Sequence, residues 1–159
     1  MFRHLLVPLE GTSVSKTTLM TAAALMNEFQ AKLTLLYVMD LAREYANAAL
    51  TVIPESDVAR YEERIENFLC NATAIVREYG GTCRTHVSHG TPVHKVINTV
   101  AAELNVDIIL MRRHDRRGLS RALWGSITDN VLREAGVPVL LVHESGSKRR
   151  ASARTVGTL

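Results

Sequence analysis

"VDIILMRRHDRRGLSRALWGSITDNVLREAGVPVLLV", residues 106–142, decides the fold. Its first six residues (106–111) are a short, branched, apolar run. Such runs are expected of a strand covered on both faces, where alternation with polar residues disappears. An arginine-rich loop follows. Ser126 can then cap a helix that carries Ile127, Val131 and Ala135 at helical spacing. Gly136 and Pro138 end that helix, and VPVLLVH (137–143) is a second apolar run. Strand, crossover helix and strand in this order form a parallel pair with a right-handed connection.

The same alternation runs back to the N-terminus. RHLLVPL (3–9) is predicted as a strand, and residues 13–29 as a helix with Val14, Thr17/Thr18, Thr21, Ala24/Leu25 and Met26/Phe29 along one face. AKLTLLYVM (31–39) is the second strand. Residues 40–55 have no clear period. From Ser56 as cap, Val58, Tyr61, Ile65, Phe68/Leu69, Ala72, Ile75/Val76 and Tyr79 mark an apolar stripe, which Gly80-Gly81 stops. TCRTHVS (82–88) alternates as a strand near an edge does. Thr91-Pro92 opens a helix whose buried face is Val93, Val96/Ile97, Val100/Ala101 and Leu104. The order β-α-β-α-β-α-β-α-β implies a parallel, doubly wound sheet. In such sheets ligands sit beyond the C-terminal strand ends, where strand order reverses. Three segments should gather there: VPLEGTS after the first strand, YVMD at the end of the second, and MRRHDRRGLSRALWGS after the fourth.

The chain of 159 residues fits one domain, expected over residues 1–144. Its 47% hydrophobic and 22% charged content is that of a soluble globular protein, and no apolar run approaches the ~20 residues of a membrane span. The N-terminus does not read as a signal peptide, and Cys70 and Cys83 read as two reduced thiols, so a cytoplasmic location is expected. Residues 145–159 hold Lys148, Arg149, Arg150 and Arg154 and no acid; setting these four charges apart from the net +3 leaves −1 on residues 1–144. That basic tail, low in apolar residues, is expected to be flexible. Its RRAS (149–152) has the form of a basic-directed kinase site. A role in nucleic-acid binding is not expected from so small a charge footprint; if present, it would be steeply salt-dependent and lost with the tail.

The stretches HLLVPLEGT, LTLLYVMD, SHGTPVHKVI and DIILMRRHDRRGLSRALWGSITDNVLREAGVPVLLV resemble the universal stress proteins, in order, over essentially residues 1–143. The most specific part is RGLSRALWGSITDNVLREAGVPVLLV (117–142). The resemblance implies a five-stranded parallel sheet in the order 3-2-1-4-5, of the adenine-nucleotide alpha hydrolase-like kind. It also implies a homodimer formed through the final strand. An open apolar edge strand at 137–143 independently invites such pairing.

Some members of that family bind ATP through G-x2-G-x9-G-[S/T] after the fourth strand. Glycines there let backbone amides approach phosphate oxygens, and the hydroxyl residue opens a helix whose amides face the anion. On this chain the first glycine position is Arg112 and the second Asp115; Gly125 and Ser126 keep the last two. Pro8, Gly11 and Thr12 match the first-strand loop, with Glu10 in place of the usual Asp; Val38 matches the adenine-side position. Met111, Arg113 and Ile127 flank these candidates. Side chains at 112 and 115 occupy space that bare backbone would leave, and Asp115 sets a negative charge beside any phosphate. Arginines 112, 113, 116, 117 and 121 could offset it.

Two functions therefore stand. The first is a non-catalytic, dimeric stress-response protein with a degenerate nucleotide site and no tightly bound cofactor. The second is a switch that binds ATP, AMP or another phosphate anion weakly, with slow ATPase activity. No catalytic residue is assigned: Ser120 and Ser126 have no recognisable base and orienter. No metal site is assigned either. His86 is expected in a strand, His89 in a turn and His94 on a helix surface, and spacing alone does not make them converge. His114 reads as an exposed loop residue. Trp124, the only tryptophan, reads as a lid over the arginine loop.

Overall fold

The structure, a computed structural model, describes residues 1–10, 14–44, 54–113 and 126–143. Expectations for residues 11–13, 45–53, 114–125 and 144–159 lie outside them, including those for Gly11, Thr12, His114, Asp115, Trp124, Gly125 and the basic tail. Among the described residues the elements are β1 (His4–Leu9), α1 (Lys16–Phe29), β2 (Lys32–Met39), α2 (Leu41–Glu44), α3 (Glu55–Glu78), β3 (Arg84–His89), α4 (Val93–Glu103), β4 (Ile108–Arg113), α5 (Ser126–Glu134) and β5 (Val139–His143). The five strands form one sheet in the order β3-β2-β1-β4-β5, and every pairing is parallel. The sheet and its strand order agree with the expectation from sequence.

The pleat explains why the central strands read as continuous apolar runs. Leu5, Val7, Leu33, Leu35, Ile108 and Leu110 face α1 and α3 and join one core cluster. Their alternating neighbours Leu6, Leu36, Ile109 and Met111 face α4 and α5 and join the other. Both faces are covered, so neither has a polar register. The outer strand β3 alternates between exposed and half-buried positions from His86 to His89, as its sequence suggested.

Where the structure departs from the sequence reading, local chemistry gives the reason. α1 starts at Lys16 rather than near residue 13, because Ser15 is the N-cap: its hydroxyl accepts from the Thr18 amide at 3.1 Å. The face of α1 that is buried is Thr18, Leu19, Ala22, Ala23 and Met26, whereas Thr17 and Ala24 are exposed. Ser56 does not cap α3. Pro54, with extended backbone, precedes the helix, which already includes Glu55. The segment without periodicity contains α2, where the Asp40 carboxylate accepts from the Arg43 amide at 3.0 Å and Glu44 pairs with Arg64 on α3. Such a helix is too short to display an amphipathic period. Pro92 caps α4 from outside its first turn.

The histidines also differ from expectation. His89 is the last residue of β3, not a turn residue. His94 is not a surface residue: its side chain is 12% exposed and lies 3.6 Å from the Glu134 carboxylate on α5. His4 ties three elements. Its Nδ1 lies 3.0 Å from the Leu104 carbonyl, which can only accept, so Nδ1 carries the proton. Nε2 then accepts, in the neutral ring, from Thr34 Oγ1 at 2.8 Å. Both cysteines are free thiols, Cys70 exposed and Cys83 half-buried; burial pushes the Cys83 thiol pKa up.

Candidate functional site

β1 and β4 are neighbours in the sheet but are followed by helices on opposite faces. The chain therefore parts above their C-terminal ends and leaves a crevice there. A cleft of about 30 Å³ lies at this point, enough for a water molecule or two. β1 and the residue after it give Pro8, Leu9 and Glu10; β4 gives Met111 and Arg112. The start of α1 gives Ser15 and Thr18, α3 gives Phe68, and the first turn of α5 gives Thr128.

The chemistry of these walls is mixed. Glu10 Oε1 and Arg112 Nε are both shut off from solvent, so the described walls hold one carboxylate and one guanidinium. Ser15 and Thr18 bond each other, hydroxyl to hydroxyl at 2.7 Å, while the Thr18 amide donates to Ser15 Oγ. The cap thus already uses that amide of the α1 N-terminus. Phe68 stacks edge-on against Tyr37, centroids 5.7 Å apart. Tyr61, beneath Tyr37, is held in its neutral form: burial first, and then a hydrogen bond with Tyr37, push its phenol pKa up. Arg64 lies 5.0 Å over the Tyr61 ring. Aromatic packing therefore makes the α3 side of the cleft rigid and apolar.

Of the residues singled out from sequence, Pro8, Glu10, Met111 and Arg112 line the cleft. Val38 does not; it packs, half-buried, in the cluster under α4. Arg113 is exposed at the end of β4. Ser126 is exposed at the start of α5, and Ile127 packs into the α4–α5 cluster. Gly11, Thr12, Asp115 and Gly125 lie outside the described residues. Sequence reasoning missed Leu9, Ser15, Thr18, Phe68 and Thr128 as wall residues. The only available signal was for Ser15, a hydroxyl residue immediately before a helical pattern. Among the described residues, no three His, Cys, Asp or Glu side chains come together as a metal site. No helix among them is long and apolar enough to cross a membrane.

Five parallel strands in the order 3-2-1-4-5, flanked by helices and cleft at the β1/β4 switch point, define a doubly wound α/β protein of the adenine-nucleotide alpha hydrolase-like class. Residues 1–143 match the universal stress protein family, and the chain belongs to it. Universal stress protein YxiE of Bacillus subtilis is 30% identical over 148 residues, which are 89% of this chain and 99% of the relative. The universal stress protein of Archaeoglobus fulgidus has the same fold, with a TM-score of 0.70 at 16% identity over 89% of this chain and 98% of that one. A universal stress protein from Archaeoglobus fulgidus in complex with dAMP gives 0.65 at 17% identity, over 88% and 97%.

Proposed function

We propose that this chain is a non-catalytic, homodimeric stress-response protein of the cytoplasm, with a degenerate nucleotide site that does not hold ATP tightly. One observation carries the reading. Arg112 stands at the first glycine position of the phosphate motif, and its side chain is part of the cleft wall, with Nε shut off from solvent. A phosphate cradled by backbone amides would have to displace that side chain. Arg112 as a whole is half-buried, and moving it would cost the contacts that its enclosed Nε end makes. Glu10 sets a carboxylate in the same wall, which opposes a polyphosphate.

A second reading rests on the same arginine. Guanidinium binds phosphate in bidentate geometry, and a relative of this fold holds dAMP. Arg112 then makes the cleft an anion-responsive switch with slow ATPase activity. Titration calorimetry with magnesium-ATP, together with a phosphate-release assay, separates the two. On the first reading the wild type shows no saturable micromolar binding, while the double variant Arg112→Gly/Asp115→Gly gains it. Micromolar saturation in the wild type, lost in Gly125→Val, would replace the first reading with the second.

A further inference from the structure

We propose that His94 and Glu134 form a proton-operated staple between α4 and α5, which closes when the imidazole is charged and tightens the hold on α5 and on the edge strand β5 that follows it. The two helices pack side by side over one core cluster. His94 Nε2 is 3.6 Å from Glu134 Oε2, beyond a neutral hydrogen bond but within ion-pair reach once both ring nitrogens carry protons. The imidazole is largely enclosed, and a partly buried pair is screened much less than a surface one. Asn98, one turn further along the same face of α4, holds an enclosed Oδ1 without a hydrogen-bond partner among the described residues. The seam thus has an acceptor to spare, and the imidazolium brings one more donor than the neutral ring.

Among the described residues, the charges on the surrounding elements leave Glu134 as the partner. On α4, Lys95 is next in sequence and exposed, and Glu103 lies on the opposite face at the far end. On α5, Asp129 and Arg133 stand off the face that carries Glu134. β3, which leads into α4, ends on the exposed His89, and the strands beneath turn Leu6, Leu36, Ile109 and Met111 to this layer. Glu134 is the last of the nine residues of α5, about 12 Å along the axis from Ser126, so the loop that precedes α5 joins it at the other end. The N-terminal end of α4 opposes a charge on His94 with the equivalent of about half a positive charge, spread over its first turn. Glu134 sets a full negative charge at 3.6 Å, so attraction wins.

The staple fixes the sign of a pH effect. A pair that needs a protonated imidazole contributes fully below the unfolded imidazole value, about 6.5, and is lost as the pH rises past the value in the folded chain. Amide hydrogen exchange of the full chain reads this helix by helix. As the pH falls from about 8 to about 5.5, the protection factors of α5 should rise about two- to fivefold relative to those of α1, which packs in the other core cluster. Glu134→Gln keeps the shape and removes the charge. It should abolish the rise and leave the ratio at about pH 8 unchanged. His94→Gln should do the same, and it serves as the measurement should Glu134→Gln not fold. A flat α5 ratio in the wild type overturns the staple. So does a rise that persists in either folded variant, since another group then carries it.

Discussion

Asp107 precedes β4, and one of its oxygens joins the starts of β1 and β4. Its Oδ2 accepts from the amides of Arg3 at 2.7 Å and His4 at 2.8 Å, while its own amide donates to the His4 carbonyl at 2.9 Å. The Arg3 amide bond is the largest cause holding this carboxyl below the usual aspartate range, with the His4 amide acting in the same direction. A carboxylate with a depressed folded-state pKa stabilises the fold above its unfolded pKa, about 3.9, and loses that contribution as pH falls through the folded value. Asp107→Asn keeps an acceptor but not the charge. The variant should be less stable than wild type in urea at pH 7, and the difference should close as the pH is lowered below about 3.9. A difference that stays constant across that range would show that charge plays no part. The sequence displayed Asp107 only as a polar residue at the head of an apolar run. Its two donors lie more than a hundred positions away, which no local pattern can reveal.

At the scale of elements, the α3–β3 connection shows what local pattern can and cannot convey. Gly80-Gly81 was legible as a helix stop, and Gly80 does take the left-handed conformation, φ +72°. The role of Gly81 was not legible, because it is a matter of packing. A Cβ there would meet Val76 Cγ1 at 2.8 Å and Ala23 Cβ at 3.1 Å, on two different helices. Gly81→Ala should therefore cost about 1–3 kcal/mol in urea denaturation. Gly136→Ala, with nothing within 4 Å of the added carbon, should stay within about 0.5 kcal/mol of wild type. Equal losses at the two sites would refute the crowding argument. The same division runs through the site. Glu10 and Arg112 could be read because each sits at the end of its own apolar strand. Phe68 and Thr128 could not, because the sheet twist and helix packing carry them there from other elements. The strands were clear as apolar runs, whereas the buried face of α1 was blurred by threonines, which suit either environment.

For the whole molecule, the sheet ends on two unequal edges. β3 is mostly polar, with Arg84, Thr85 and His89 exposed beside a single exposed apolar residue, Val87, a composition that discourages further pairing. β5 is apolar along Val139–Val142, with Leu140 38% exposed and Leu132 on the neighbouring α5 39% exposed. An apolar edge strand with β4 on one side only is the surface a second copy would cover. A two-fold axis beside β5 runs the two copies antiparallel, so each residue of one strand meets the same set on the other and the contact closes on itself. This edge is what supports the homodimer proposed above, and Leu140 is the residue on which to test it. Leu140→Lys puts a charge on an exposed apolar position of the edge strand, a device that natural edges use against pairing, and should leave the monomer fold intact because the wild-type side chain already reaches solvent. Light scattering at micromolar concentration should then give the mass of two chains for wild type and of one for the variant, with unchanged circular dichroism. A wild type that scatters as a single chain removes the dimer. A variant that still pairs moves the interface away from β5.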